Sequence, residues 1–307
     1  MTKLHTLGSL IERFRNQTPI RASSLVITVY GDAVEPHGGT VWLGSLIKLL
    51  EPMGINERLM RTTIFRLTQD GWLMSDRVGR RSYYSLTGPG RRKFEQAFRR
   101  VYRGNHKSWD GSWCLLMTSQ LSTEQRKVLL EDLAWQGFAP LTGHLLGSPN
   151  CNTGQVHSAL SAAGVEDQVV LFETRPQEEL AGRPLRLLVK DCWDLEALGH
   201  QYQEFLQLFR PLWQELSDKG NLNPQDCFLA RTLLIHEYRK LVLRDPLLPD
   251  ELLPGDWEGR AARQLCRNIY RSLTPAAERW LAESMETAEG PLPAASSAFY
   301  QRFGGLT

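Results

Sequence analysis

Between Arg58 and Arg103 the chain sets twelve Lys or Arg against three Asp or Glu, across one amphipathic segment and two β-prone runs. The twelve are Arg58, Arg61, Arg66, Arg77, Arg80, Arg81, Arg91, Arg92, Lys93, Arg99, Arg100 and Arg103. Residues 1–103 hold 17 basic and 8 acidic residues, a formal +9; residues 104–307 hold 19 and 26, a formal −7, within a chain of net +2. Such a split marks a basic module that meets a polyanion, joined to a body with another task. Nucleic acid is the obvious polyanion, and a merely solvated basic face is the plain alternative.

The local pattern narrows this. Leu25, Val26, Val29 and Tyr30 recur at helical spacing within Ala22–Val34, and Pro36-His37-Gly38-Gly39 closes that segment. Val41–Met53 reads as a second amphipathic helix, through Trp42, Leu43, Leu46, Ile47, Leu49 and Leu50, ended by Pro52-Met53-Gly54. Asn56 suits the N-cap of a third helix, Glu57–Asp70, and Gly71 stops it. At about 100° per residue, Leu59, Met60, Thr63, Ile64 and Leu67 share a core-facing arc. Arg58, Arg61, Thr62, Phe65 and Gln69 fall opposite, with Arg66 at the border. That face suits a major groove: arginine reaches phosphates or the O6/N7 edge of guanine, and glutamine reads adenine. Phe65 either touches a thymine methyl or is covered by another part of the chain.

Trp72–Val78 and Arg81–Leu86 are β-prone runs around a Gly79-Arg80 turn, a hairpin with Arg77, Arg80 and Arg81 near its tip and Tyr83 beyond it. Helix, turn, helix and basic hairpin is the winged helix-turn-helix order, in which the wing lies along the phosphate backbone or enters the minor groove. The DNA-contact candidates are therefore Arg58, Arg61, Thr62, Phe65, Arg66, Gln69, Arg77, Arg80, Arg81 and Tyr83. Gly88-Pro89-Gly90 predicts a break before a basic connector helix, Arg91–Tyr102.

The segments V-W-L-G-S-L-I-K-L-L-E-P-M-G, N-E-R-L-M-R-T-T-I-F-R-L-T-Q-D-G-W-L and R-V-G-R-R-S-Y-Y-S-L-T resemble the DNA-binding domain of PaaX-type repressors, bacterial regulators of phenylacetic acid degradation. The likeness continues through W-D-G-S-W-C-L-L-M and A-W-Q-G-F-A-P-L, then L-V-L-R-D-P-L-L-P-D-E-L-L-P-G-D-W-E-G-R-A-A-R-Q-L-C-R-N-I-Y and the tail Y-Q-R-F-G-G-L. The resemblance implies an α+β protein in three parts: a winged helix-turn-helix domain with its connector (1–103), a ferredoxin-like, Cas2-like middle domain (104–190) and a helical effector and dimerisation domain (191–307). It implies a homodimer that holds double-stranded operator DNA until the effector phenylacetyl-CoA releases it, with no cofactor.

The middle region agrees on its own terms: a strand at Ser112–Ser119, a helix at Thr123–Gln136 capped by Ser122, an extended stretch at Phe138–Leu146, a helix at Thr153–Ala163 and a strand at Gln168–Thr174. From Trp193 helices are expected at Leu195–Leu216 (bent or interrupted by Pro211), Gln225–Leu243, Arg260–Leu273 and Pro275–Glu286, with Pro246, Pro249 and Pro254 in a rigid connector. An acyl-CoA pocket needs cations beside apolar and aromatic walls. His236, Arg239, Lys240, Trp257, Arg263, Arg267 and Tyr270 are the effector-binding candidates, against the ordinary alternative of ion pairs and caps.

Catalytic signatures are missing. The Trp113–Ser119 strand holds no carboxylate for a metal nuclease, and Asp110 precedes it at the wrong end. His236-Glu237 lacks the second histidine of H-E-x-x-H, His37-Gly38-Gly39 has no accompanying G-x-S-x-G, and no Walker or EF-hand pattern is present. No catalytic or metal-binding residue is therefore assigned. No run of about 18 apolar residues predicts a membrane span, and Glu12, Arg13 and Arg15 interrupt any secretory apolar region. Five widely spaced cysteines (Cys114, Cys151, Cys192, Cys227, Cys266) fit reduced thiols in the cytoplasm. The expected function is a DNA-binding repressor. The competing readings are a CoA-thioester enzyme and a sequence-independent nucleic-acid-binding protein or Cas2-like nuclease.

Overall fold

The computed structural model describes residues 2–103, 108–150, 152–176, 184–217 and 220–306. It begins with α1 (His5–Arg15), which local pattern did not announce. Its first amides, on His5 and Thr6, donate to the Glu215 carboxylate at 2.6 and 2.9 Å, so a distant acid does the capping that Leu4 cannot. α2 (Ala22–Val29) is apolar and almost wholly buried; it runs on as a π-helical turn, Tyr30–Val34, and a 3-10 turn, Glu35–His37.

The second predicted helix is corrected at its start. Thr40–Trp42 is a strand, β1, and only Leu43–Leu50 (α3) is α-helical. Thr40 and Val41 are β-branched and pair with Ser85 and Tyr84, partners that local periodicity cannot reveal. α4 (Glu57–Gln69) forms as expected: Asn56 Oδ1 accepts the Leu59 N–H at 2.9 Å, and Gly71 takes φ +68° just beyond the end. β2 (Leu73–Val78) and β3 (Arg81–Leu86) make the hairpin, and β1 lies on the far side of β3, giving the order β1-β3-β2. Gly88-Pro89-Gly90 begins a helix and does not break the chain. α5 spans Gly88–Phe98, with Thr87 Oγ1 accepting the Gly90 N–H at 3.0 Å and proline in the first turn, where its missing N–H is not needed. A π turn, Arg99–Arg103, buries Val101 and Tyr102.

The central elements are β4 (Trp113–Met117), α6 (Thr123–Ala134), β5 (Ala139–Thr142), β6 (Leu145–Ser148), α7 (Thr153–Ala163) and β7 (Val170–Thr174). Ser122 and Gln125 form a reciprocal capping box on α6. The single extended stretch expected at Phe138–Leu146 is two strands, turned at Gly143-His144. All pairs are antiparallel in the order β5-β6-β4-β7, so connectivity and order together are those of the ferredoxin-like β-α-β-β-α-β unit. Cys114, Leu116 and Leu146 pack with Leu129, Leu133, Val156 and Leu160 of the two helices. The opposite face carries Leu115 and Met117 beside their cross-strand partners Phe172 and Val170. Three of these remain open to solvent: Met117 is 42%, Val170 50% and Phe172 45% exposed.

Four helices follow: α8 (Leu185–Cys192), α9 (Leu195–Ser217, continuous through Pro211), α10 (Pro224–Val242) and α11 (Glu258–Ser284). The two helices expected around Pro275 are one. Leu273, Thr274, Ala276 and Ala277 are buried on both sides of the proline, and Thr274 Oγ1 donates to the Tyr270 carbonyl at 2.7 Å. Burial of that face outweighs the cost of an interior proline, about 3 kcal/mol. A short hairpin, β8 (Glu286–Thr287) and β9 (Gly290–Pro291), and a last turn, α12 (Ser297–Tyr300), complete the chain.

Two compact units result, one from residues 1–104, 203–240 and 260–307, the other from 105–202 and 241–259. Cys192, Cys227 and Cys266 are free, whereas Cys114 is disulfide-bonded. The expectation of reduced thiols throughout is corrected there, since an odd cysteine count rules out full pairing but not one bridge; Cys151 lies outside the described residues. No described helix is long and apolar enough to cross a membrane.

The first unit is centred on a buried charge cluster. Asp32, 1% exposed, accepts on Oδ1 from the Tyr102 hydroxyl at 2.6 Å, the Tyr270 hydroxyl at 2.8 Å and Arg302 Nη1 at 3.0 Å. Its Oδ2 lies 3.0 Å from Arg231 Nε, and Arg231 Nη1 donates to Glu278 at 2.7 Å. His37 Nε2 stands 2.9 Å from the same Glu278. Burial pushes the Glu278 carboxyl up, but Arg231 and the hydrogen bond from His37 outweigh it and hold the group at about 2. A carboxyl depressed on folding stabilises above its unfolded value near 4.5 and loses that contribution as pH falls from there toward 2. Urea midpoints should therefore be flat for this group above pH 5 and decline below 4.5, and Glu278→Gln should flatten that decline. An unchanged acid slope in the variant would contradict the coupling.

Candidate nucleic-acid interface

The core arc of α4 seats Met60, Thr63, Ile64 and Leu67 in the unit, which turns Arg58, Arg61, Thr62, Phe65, Arg66 and Gln69 outward, all exposed. Phe65, at 65%, is not covered by any described part of the chain. Leu59, expected in the core arc, is only half-buried. Arg61 is held one turn back by Glu57, with Nη2 and Nε at 2.7 and 2.9 Å from Oε1. Both side chains are about three-fifths exposed, 60% and 61%, so the pair is weak and water-screened. Thr62 Oγ1 donates back to the Arg58 carbonyl at 3.0 Å. Arg58 and Arg66 form no ion pair among the described residues.

The hairpin places Arg77, Arg80 and Arg81 at its exposed end, where Gly79 takes φ +61° to make the turn. Arg77 Nε donates to the Gly79 carbonyl at 3.3 Å. Arg80 has no ion pair among the described residues. Arg81 is more constrained: its guanidinium stacks 4.3 Å from the Trp42 ring, hydrogen-bonds Tyr83 and ion-pairs with Glu286. The Tyr83 hydrogen bond and then the Glu286 carboxylate favour its charged form further. Tyr83 itself is buried, 5% exposed. Sequence reasoning missed Trp42 and Glu286. Trp42 was assigned to a helix face, and nothing local marks an acid two hundred residues from its partner.

The effector candidates are dispersed. His236 is fully buried, with Nδ1 3.2 Å from Thr28 Oγ1 and the Phe14 ring edge-on at 5.5 Å. Burial, then Lys240, Arg239 and Arg21, push its imidazole well below the usual histidine range, so it is neutral. Arg239 Nη1 donates to Ser24 O and Thr28 Oγ1 at 3.2 and 3.0 Å, and Lys240 pairs with Glu237 at 2.7 Å. Tyr270 is enclosed in the Asp32 cluster, and Arg263 Nη2 donates to the Arg103 carbonyl at 2.8 Å. Arg267 is half-buried. Trp257, buried against Tyr202 at 5.8 Å, belongs to the second unit, the others to the first. His236 and Arg239 thus meet at Thr28; Arg263, Arg267 and Tyr270 share the one helix α11, and Trp257 lies in the other unit.

Among the described residues no cluster of three His, Cys, Asp or Glu stands ready for a metal ion. Asp110, ahead of β4, is engaged by Ser112 and by Arg175 at 3.2 Å.

Three family models match in succession: PaaX-like protein over residues 21–90, the PaaX protein central Cas2-like domain over 106–185, and the PaaX-like protein C-terminal domain over 193–283. A relative from Escherichia coli (strain K12), named transcriptional repressor PaaX, is 43% identical over 307 residues, covering 100% of this chain and 96% of its own. A solved structure of an uncharacterized protein from Mycobacterium tuberculosis aligns at a TM-score of 0.56 with 20% identity, over 83% of this chain and 97% of that one; it speaks to fold alone.

Proposed function

The chain belongs to the PaaX family of transcriptional repressors, and on that premise we propose that it is a cytoplasmic homodimer repressing phenylacetate-degradation genes until phenylacetyl-CoA releases it. It is a DNA-binding regulator and not a catalyst. The observation that carries the reading is the outward face of α4, with Arg58, Arg61, Thr62, Phe65, Arg66 and Gln69 exposed together beside a hairpin tipped by Arg77 and Arg80. In this reading α1 to α5 with β1-β3-β2 act as a winged helix-turn-helix, α4 enters the major groove and the wing follows the phosphates.

A dimer sets two copies of α4 against successive major grooves. The open face of the central sheet, with Met117, Val170 and Phe172 exposed, is an apolar surface suited to a second copy. The effector shifts binding only as far as its affinities for the DNA-matched and unmatched geometries differ. Its phosphates would be met by cations that reach the surface; among the candidates Lys240, Arg263 and Arg267 are only half-buried, whereas His236 and Tyr270 are closed to solvent.

An anisotropy titration against the duplex upstream of the chain's own gene tests the reading. Preferential binding over a random duplex is expected, with release by phenylacetyl-CoA and no consumption of the thioester. Equal affinity for both duplexes would favour a sequence-independent binder, and thioester turnover an enzyme.

A further inference from the structure

Glu286 sits where α11 ends and the β8–β9 hairpin begins, and two contacts fix it there. Its backbone N–H donates to Ser45 Oγ on α3 at 3.1 Å, and Ser45 is 1% exposed, so the anchor is firm. The hairpin is closed by Thr287 Oγ1 donating to the Gly290 carbonyl at 3.1 Å. From that position the carboxylate ion-pairs with Arg81 at the turn end of the hairpin. Arg81 is held by stacking on the Trp42 ring at 4.3 Å, a preorganised cation of the kind that grips a phosphate. Glu286 is an acid placed on that cation, within a module whose remaining wing arginines carry no such partner among the described residues.

We propose that Glu286 is an affinity-setting residue of this repressor: it occupies Arg81 and so withholds one wing guanidinium from the DNA backbone. The two side chains are 49% and 48% exposed, so the pair is open to a competing phosphate and weakly held. A phosphate approaching Arg81 must either displace the carboxylate or sit beside its negative charge, and both weaken binding. The hairpin that follows α11 thereby gives the C-terminal part of the chain a grip on the DNA-reading part.

This assignment rests on the reading of the wing as a DNA contact, and the test separates the two. Glu286→Gln keeps the shape and removes the charge. Titrated over a salt series with the upstream duplex, it should bind about three- to tenfold tighter than wild type at low salt. The log affinity against log salt should also steepen by up to about 0.9, one added phosphate contact. The gain should vanish in the Arg81→Ala background, where Glu286→Gln has no cation to release. If Arg58→Ala and Arg80→Ala weaken binding while Glu286→Gln leaves it unchanged or lowers it, the pair is structural and the inference is overturned alone. If neither arginine variant weakens binding, the DNA-contact reading falls and takes the inference with it. Circular dichroism melts of each variant guard against loss of fold, and Glu286→Ala supplies a second route to the same comparison.

Discussion

Asp32→Ala should cost the first unit about 3–5 kcal/mol in urea unfolding, the range for breaking a buried ion pair by removing one partner. The size follows from what the carboxylate holds. Arg231 and Arg302 are 0% and 1% exposed, and Asp32 and Glu278 are the carboxylates paired with them. Without Asp32, Arg231 keeps only the partly exposed Glu278, Arg302 keeps no carboxylate partner among the described residues, and two phenolic hydroxyls lose their acceptor. Arg302 would keep its bonds to the backbone carbonyls of Gly31 and Asp32 at 2.9 and 3.0 Å, so the cost stays short of a fully isolated charge. Domain stabilities are of the order of 5–15 kcal/mol, so the variant would be marginal. Asp32→Asn, which keeps an acceptor but not the charge, should fall between it and wild type. A loss under about 1 kcal/mol for Asp32→Ala would mean that the cluster is not what joins Tyr102, Tyr270 and Arg302 to the π turn that continues α2.

That cluster also marks the limit of what the sequence revealed. Its members are separated by 70, 238 and 270 positions from Asp32 to Tyr102, Tyr270 and Arg302, and no local rule links them. Tyr270 reads as an aromatic wall for a ligand when met in sequence, and in the fold its hydroxyl is spent on Asp32. α4, by contrast, was legible to within a residue, because Asn56, the apolar arc and Gly71 all act within one turn of where they stand. β1 was not, because a three-residue strand exists only through its pairing with β3. Proline misled twice, at Pro89 and Pro275. In the first case a first-turn position needs no N–H, and in the second a buried face overrides the local preference. For the candidate interface, angular accounting placed the exposed side of α4 correctly. What it could not supply was the third dimension around Arg81, where Trp42 and Glu286 arrive from two other segments.

The second large effect expected is a division of labour between Arg61 and Arg80. Arg61 stands on the outward face of α4, and its Glu57 pair is a surface i,i+4 contact worth only about 0.3–0.5 kcal/mol, too little to keep it from a base edge. If it reads guanine, Arg61→Ala should cost about 1–3 kcal/mol on the upstream duplex and much less on random DNA, so the ratio of the two affinities falls about tenfold or more. Arg80 lies at the hairpin turn, exposed and without an ion pair among the described residues, and in the proposed reading it meets a phosphate and not a base. Arg80→Ala should therefore weaken both duplexes by similar factors and reduce the salt slope by about 0.9. The contrast is the informative quantity, since any damage to the fold lowers both affinities in both variants and leaves no such pattern. Equal effects of the two substitutions on both duplexes would assign α4 a phosphate-binding role and move sequence reading elsewhere. No effect of either would remove the helix and its wing from the DNA altogether.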